Sequence, residues 1–153
     1  MVARPELSML VCIPARREEP ETLWQQPVQA FTANDALYAT LDYTPDMDEE
    51  AERGALMLAS VWGLARFGER FVVTAEVGQA QVTAGEEAHN GGVQVTGLRR
   101  DQLVAFFTDP DEDPKVAAAV AHGLTLDEAW ELPQVQDLLG NDLQWHDLGE
   151  WGR

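Results

Sequence analysis

The stretch from Asp46 to Gly68, followed almost at once by Phe71-Val72-Val73-Thr74-Ala75-Glu76-Val77, constrains this chain more than any other feature. Ala51, Ala55, Leu58, Trp62 and Ala65 recur at spacings of four and three, which places them on one face of a helix. Asp46 and Glu49 have the spacing of a capping box, and Gly68 supplies the positive φ that commonly ends a helix. The spacing predicts a helix over 46–67. The β-branched and aromatic run that follows, closed by Gly78, predicts a central strand packed on it.

Shorter signals fill in the rest. Met9 to Ile13, closed by Pro14, suits a buried strand at about 8–13, and Val28 to Thr32 a second one. The charged segment from Glu18 to Gln26, with Leu23 and Trp24 as anchors, stops at Pro27. Asn34 or Asp35 caps a helical turn that ends before Thr44-Pro45. Residues 79–92 read as a loop or hairpin turn, while Val93 and Val95 alternate with polar neighbours as a half-buried strand. Leu103 to Thr108 is a further strand and Val116 to His122 a helix stopped by Gly123. Thr125 and Glu128 repeat the capping-box spacing; that helix breaks at Pro133, restarts, and ends at Gly140. Leu143 and Trp145 add a final strand. The sum is an α+β single-domain two-layer sandwich: a mixed sheet of about five strands, a long central helix and C-terminal helices.

The length of 153 residues fits one domain, taken as 9–153 with 1–8 as an N-terminal extension. Charge is the property furthest from average: 27 Asp plus Glu against 10 Lys plus Arg give a formal net charge of -17. Such a chain is a poor direct ligand for DNA or RNA, whose affinity comes from Lys and Arg neutralising phosphates, and a poor ligand for anionic membranes. The single cysteine, Cys12, excludes an intramolecular disulfide and a cysteine-rich zinc site. With no transmembrane-length apolar run and a poor cleavage region after the apolar stretch of residues 7–15, a cytoplasmic location is expected.

No residue pattern here announces catalysis. Asp109-Pro110-Asp111-Glu112-Asp113 begins like a calcium loop, but Pro114 stands where glycine is needed and Val120 where a bidentate acid is needed, so it is read as a solvated turn. His89, His122 and His146 have none of the short spacings that serve zinc; they read as surface or helix-end histidines, brought to a metal only by the tertiary fold. Cys12, inside an apolar run, reads as a small buried hydrophobe. Nucleophile elbows, phosphate loops and dinucleotide fingerprints are absent from the sequence. No catalytic, cofactor-binding or metal residue is assigned.

The pieces Met9-Leu10-Val11-Cys12-Ile13-Pro14-Ala15, Ala30-Phe31-Thr32, Ala36-Leu37-Tyr38, Asp48-Glu49-Glu50-Ala51, Val72 to Val77 and Leu143-Gln144-Trp145-His146-Asp147 resemble, in the same order, an uncharacterised family of small acidic actinobacterial proteins. The resemblance implies source and domain extent. It brings no activity, cofactor or site residue.

Function is therefore read from charge. Asp46, Asp48, Glu49, Glu50 and Glu52 crowd the start of the long helix, where the macrodipole favours them; they also form a candidate surface for a basic protein partner. Trp145 and Trp151, in an acidic tail, are candidate aromatic anchors. The expectation is a non-enzymatic interaction or regulatory protein that binds a basic protein. The alternative is a small cation-dependent hydrolase or transferase that uses surface-cleft carboxylates.

Overall fold

The structure, a computed structural model, describes residues 8–24, 27–109 and 115–151. Seven strands form one sheet: β1 (Ser8–Pro14), β2 (Val28–Phe31), β3 (Phe71–Gly78), β4 (Val82–Ala84), β5 (Gly92–Val95), β6 (Leu103–Thr108) and β7 (Gln144–His146). Their order is β4-β5-β2-β1-β3-β6-β7. The helices are α1 (Asp35–Thr40), α2 (Asp48–Phe67), α3 (Lys115–Ala121), α4 (Leu126–Trp130) and α5 (Pro133–Leu139).

The α+β class, the single domain, the long helix and the C-terminal helices are as the sequence predicts. The sheet differs in two respects: it has seven strands instead of about five, and every pairing is antiparallel, so it is not mixed. The final strand expected at Leu143 and Trp145 is the edge strand β7, while the other edge, the three-residue β4, is too short for a period-two pattern to emerge. Residues 79–92, expected as a loop or hairpin turn, hold β4 between two short 3-10 turns and form the hairpin that pairs it with β5. The acidic turn over 110–114 and residues 1–7 of the expected extension lie outside the described residues, and Ser8 already pairs with Gly78.

Alternation along the strands sends side chains to two apolar layers. Cys12, Phe31 and Val72 join α2 and the C-terminal helices in one layer. Val11, Ile13, Phe71, Val73, Val95 and Phe106 form the other, covered by Leu23, Leu98, Leu148 and Trp151 from the connections. Helix α2 is the centre of the first layer. From Met57 to Ala65 it is buried all round, with β1, β2 and β3 on one side and α3 and α4 packed against it. Each large apolar side chain fully buried this way contributes roughly 1.5–3 kcal/mol. Gly68, at φ 81°, ends the helix as expected. Its start is shifted: Met47 is the cap residue without a side-chain cap, because the Asp46 carboxylate is engaged by the Thr44 hydroxyl.

The caps of the short helices follow local rules. Asn34 accepts from the Leu37 amide at 3.0 Å to start α1. Thr125 and Glu128 form the predicted box on α4, with the Glu128 amide donating to the Thr125 hydroxyl oxygen at 3.2 Å and the Thr125 amide to Glu128 Oε1 at 3.1 Å. Pro133 occupies the first turn of α5, where its missing N–H is not needed. No helix among the described residues is long and apolar enough to cross a membrane.

Candidate functional site

The acid-rich start of α2 lies beside a cleft. Met57 and Gly54 of α2, Leu41 and Tyr43 of the segment between α1 and α2, Trp130 of α4 and Leu139 of α5 line a space of about 390 Å³. Glu50, Arg53 and Gln136 complete its lining. Gly54 holds the space open, since a Cβ there would press on Leu41 Cδ1 at 2.9 Å. Arg53, also on the wall, pairs with the Asp142 carboxylate and so does not cancel Glu50. Trp130 is half-buried and lines the cleft.

The expected partner-binding acids are all exposed. Asp48 accepts the Tyr38 hydroxyl at 2.6 Å. That hydrogen bond, then desolvation and the negative charges of Asp48, Glu52 and Asp35, pushes the Tyr38 phenol up to about 12. Asp46 is held below the usual carboxylate range by the Thr44 hydroxyl bond. Glu49, Glu50 and Glu52 are exposed on the first turns of α2, and of these Glu50 lines the cleft.

The two tail tryptophans separate. Trp145 on β7 is 62% exposed, opposite Phe107 at the sheet edge. Trp151 folds under the sheet, 5.3 Å from the Phe71 ring, and its Nε1 donates to the Arg17 carbonyl at 3.0 Å. It covers the layer opposite α2, so the acidic helix start and Trp151 lie on different faces of the sheet. Trp130, flanked in sequence by Asp127, Glu128 and Glu131, lines the cleft together with Tyr43 and Glu50. An aromatic inside an acidic helix was the available signal for it.

The histidines also separate. His146 stacks on Phe106 at 4.9 Å and meets the Thr108 hydroxyl through Nε2 at 2.8 Å, a structural place. His122 follows α3 and is exposed. His89 is different. It sits in the turn between β4 and β5, where the Thr40 hydroxyl of α1 donates to its carbonyl. Its Nε2 lies 3.1 Å from Asp127 Oδ2, on the first turn of α4, and 4.0 Å from Glu87 Oε1. The Asn90 amide nitrogen lies 3.1 Å from Asp127 Oδ1 and 3.2 Å from Glu87 Oε1. The Asn90 bond, with His89 behind it, holds the Asp127 carboxyl below its ordinary range. Sequence reasoning missed this grouping; the Glu-Ala-His run was legible, its second carboxylate, Asp127, was not.

Cys12 is buried between sheet and α2, where desolvation and the charge of Glu52 push the thiol up to about 12. That suits the small hydrophobe expected and not a thiolate nucleophile.

A family described only as a family of unknown function, DUF6912, matches residues 9–153. No curated protein and no solved structure matches the chain.

Proposed function

We propose a function from the residues themselves, since the chain belongs to DUF6912, a family of unknown function: it binds a basic segment of another protein in the cleft between α2, α4 and α5. The observation that carries this reading is a cleft whose apolar side chains stand beside the exposed Glu50 of the acid-rich start of α2, with the Arg53 cation already engaged by Asp142. Leu41, Met57, Trp130 and Leu139 offer a desolvated seat for one aliphatic or aromatic anchor. Glu50 stands in its lining, Glu49 and Glu52 are exposed on the same turns of α2, and the net charge of -17 draws a cationic partner from a distance. Lys and Arg residues next to the anchor would meet these carboxylates at the rim, where they govern association rate and salt sensitivity.

A hydrolase or transferase that uses cleft carboxylates is supported less well. Such chemistry needs two or more acids converging in a cavity. The cleft above carries Glu50 alone, and a second one, of about 350 Å³ beside Trp62 and Phe67, carries Glu19 alone.

Binding is measured with a fluorescently labelled basic peptide bearing a central Trp or Leu, against the same peptide with that residue replaced by Gly, and an acidic peptide with the same anchor. Saturable binding of the first peptide alone is expected, weakening as salt rises. It should fall more than about tenfold in Trp130→Ala and in the combined Glu49→Gln, Glu50→Gln, Glu52→Gln variant. Equal binding of all three peptides, or binding untouched by both variants, sinks the reading.

A further inference from the structure

We propose that the turn carrying Glu87, His89 and Asn90, together with Asp127, is a site for a divalent first-row transition cation, with Zn2+ as the type. One donor atom from each of Glu87, His89 and Asp127 lies within 4.8 Å of the others. The end of the Asn90 side chain completes the group: its amide nitrogen stands 3.1 Å from His89 Nε2, 3.1 Å from Asp127 Oδ1 and 3.2 Å from Glu87 Oε1. Four donors about a tetrahedral Zn2+, at bond lengths of roughly 2.0–2.2 Å, are about 3.4 Å from one another. Asn90 Nδ2 stands 3.1 Å from His89 Nε2 and 3.2 Å from Glu87 Oε1, and Asp127 meets His89 through Oδ2 and Asn90 through Oδ1, each at 3.1 Å, so distances of that scale are reached with both Asp127 oxygens in use. Glu87, 4.0 Å from His89 Nε2, and one oxygen of Asp127 must close in around the ion.

The chemistry of the set selects the ion. Two carboxylates supply charge, an imidazole nitrogen favours Zn2+ over Mg2+ or Ca2+, and without thiolates the set does not favour soft Cu(I). Asn90 is 3% exposed and presents its amide to the group, bridging Glu87 and Asp127 as a weak positive centre. Oxygen and nitrogen of an amide exchange places by a half-turn, which would give the ion a neutral oxygen donor in the same position. The scaffold is fixed independently of any ion. A Cβ on Gly92 would run into the Glu86 carbonyl, and Gly91 takes φ 83°, so the tight turn that aims Glu87 and His89 at α4 depends on this glycine pair. The His89 and Asp127 side chains are 57% and 68% exposed, which leaves the ion a path in and room for water in its shell.

The test is calorimetric titration of chelator-treated protein with ZnCl2 in about 0.15 M salt, where diffuse attraction to exposed acids is screened, and in excess Mg2+. One saturable Zn2+ per chain is expected, weakened more than about tenfold in His89→Ala and in Asp127→Asn and unchanged in His122→Ala. Both variant positions are exposed, and circular dichroism confirms that they fold. In the wild type, Zn2+ should shift the ring NMR signals of His89 and not those of His122 or His146. Absence of saturable binding, or binding that His89→Ala leaves intact, overturns the site. The peptide measurements above involve none of these residues, so either proposal can fail alone.

Discussion

The guanidinium of Arg70, buried at the start of β3, donates through Nη1 to Asp109 Oδ2 at 3.3 Å and to the Leu138 carbonyl at 3.1 Å. Its Nε reaches the Ser60 hydroxyl at 3.3 Å, so one side chain ties α2, β3, the end of β6 and α5 together. Removing one member of a buried ion pair leaves the other uncompensated, at a cost of about 3–5 kcal/mol. Arg70→Ala should therefore lower stability by about that amount in urea unfolding. Asp109→Ala should cost less when added to Arg70→Ala than when made alone. Strict additivity of the two would show that the pair does not act as a unit.

Cys12 makes the protein sensitive to alkali. Its thiol, at about 12 in the fold against an ordinary 9.0, stays protonated where the unfolded chain would ionise. A raised folded value means that this stabilisation is complete below 9.0 and lost as pH climbs towards 12. The slope from this group approaches about 1.4 kcal/mol per pH unit within that window. Comparing urea midpoints of wild type and Cys12→Ala at pH 8 and about pH 10.5 should show a shallower decline for the variant. Tyr38, also raised to about 12, adds a loss of the same sign in both proteins.

Trp151 closes the second apolar layer at its open end. Trp151→Ala removes its contacts with Phe71 and Phe106 and the bond to the Arg17 carbonyl. For a half-buried ring the expected loss is about 2 kcal/mol, below the 3–5 kcal/mol of a fully enclosed one. Hydrogen exchange should quicken at β7 and around Arg17 while the amides of α2 stay protected. Uniform loss of protection would mean that the tail is integral to the global fold.

The cap of α4 is the acid-sensitive counterpart. Glu128 is held below its ordinary 4.5, first by the Thr125 amide and then by the Thr125 side chain. A depressed folded value contributes stability above 4.5 that disappears as pH falls through the folded value. Thr125→Ala should cost about 1 kcal/mol at neutral pH. Glu128→Gln should flatten the fall in stability between about pH 5 and pH 3, a change visible as converging urea midpoints for variant and wild type. A constant offset between the two curves would remove Glu128 from the acid response.

What the sequence determined about this protein is what depends on near neighbours. The body of α2 and its Gly68 stop, the Asn34 and Thr125 caps, the break at Pro133 and the strands from Phe71 and Leu103 all follow from residues no more than a few positions apart. Asp46 shows where even local reading slips: two partners competed for one carboxylate, and Thr44 took it. The edge strand β4, the wholly antiparallel pairing and the separation of Trp145 from Trp151 were decided by the order of seven strands, which no periodicity encodes. The same holds for the groups of functional interest. Trp130 reaches the cleft beside Glu50 because α4 packs on α2, and Asp127 meets His89 across 38 residues of chain because that helix begins beside the turn after β4. Such meetings depend on packing between distant segments, and only the tertiary structure supplies that.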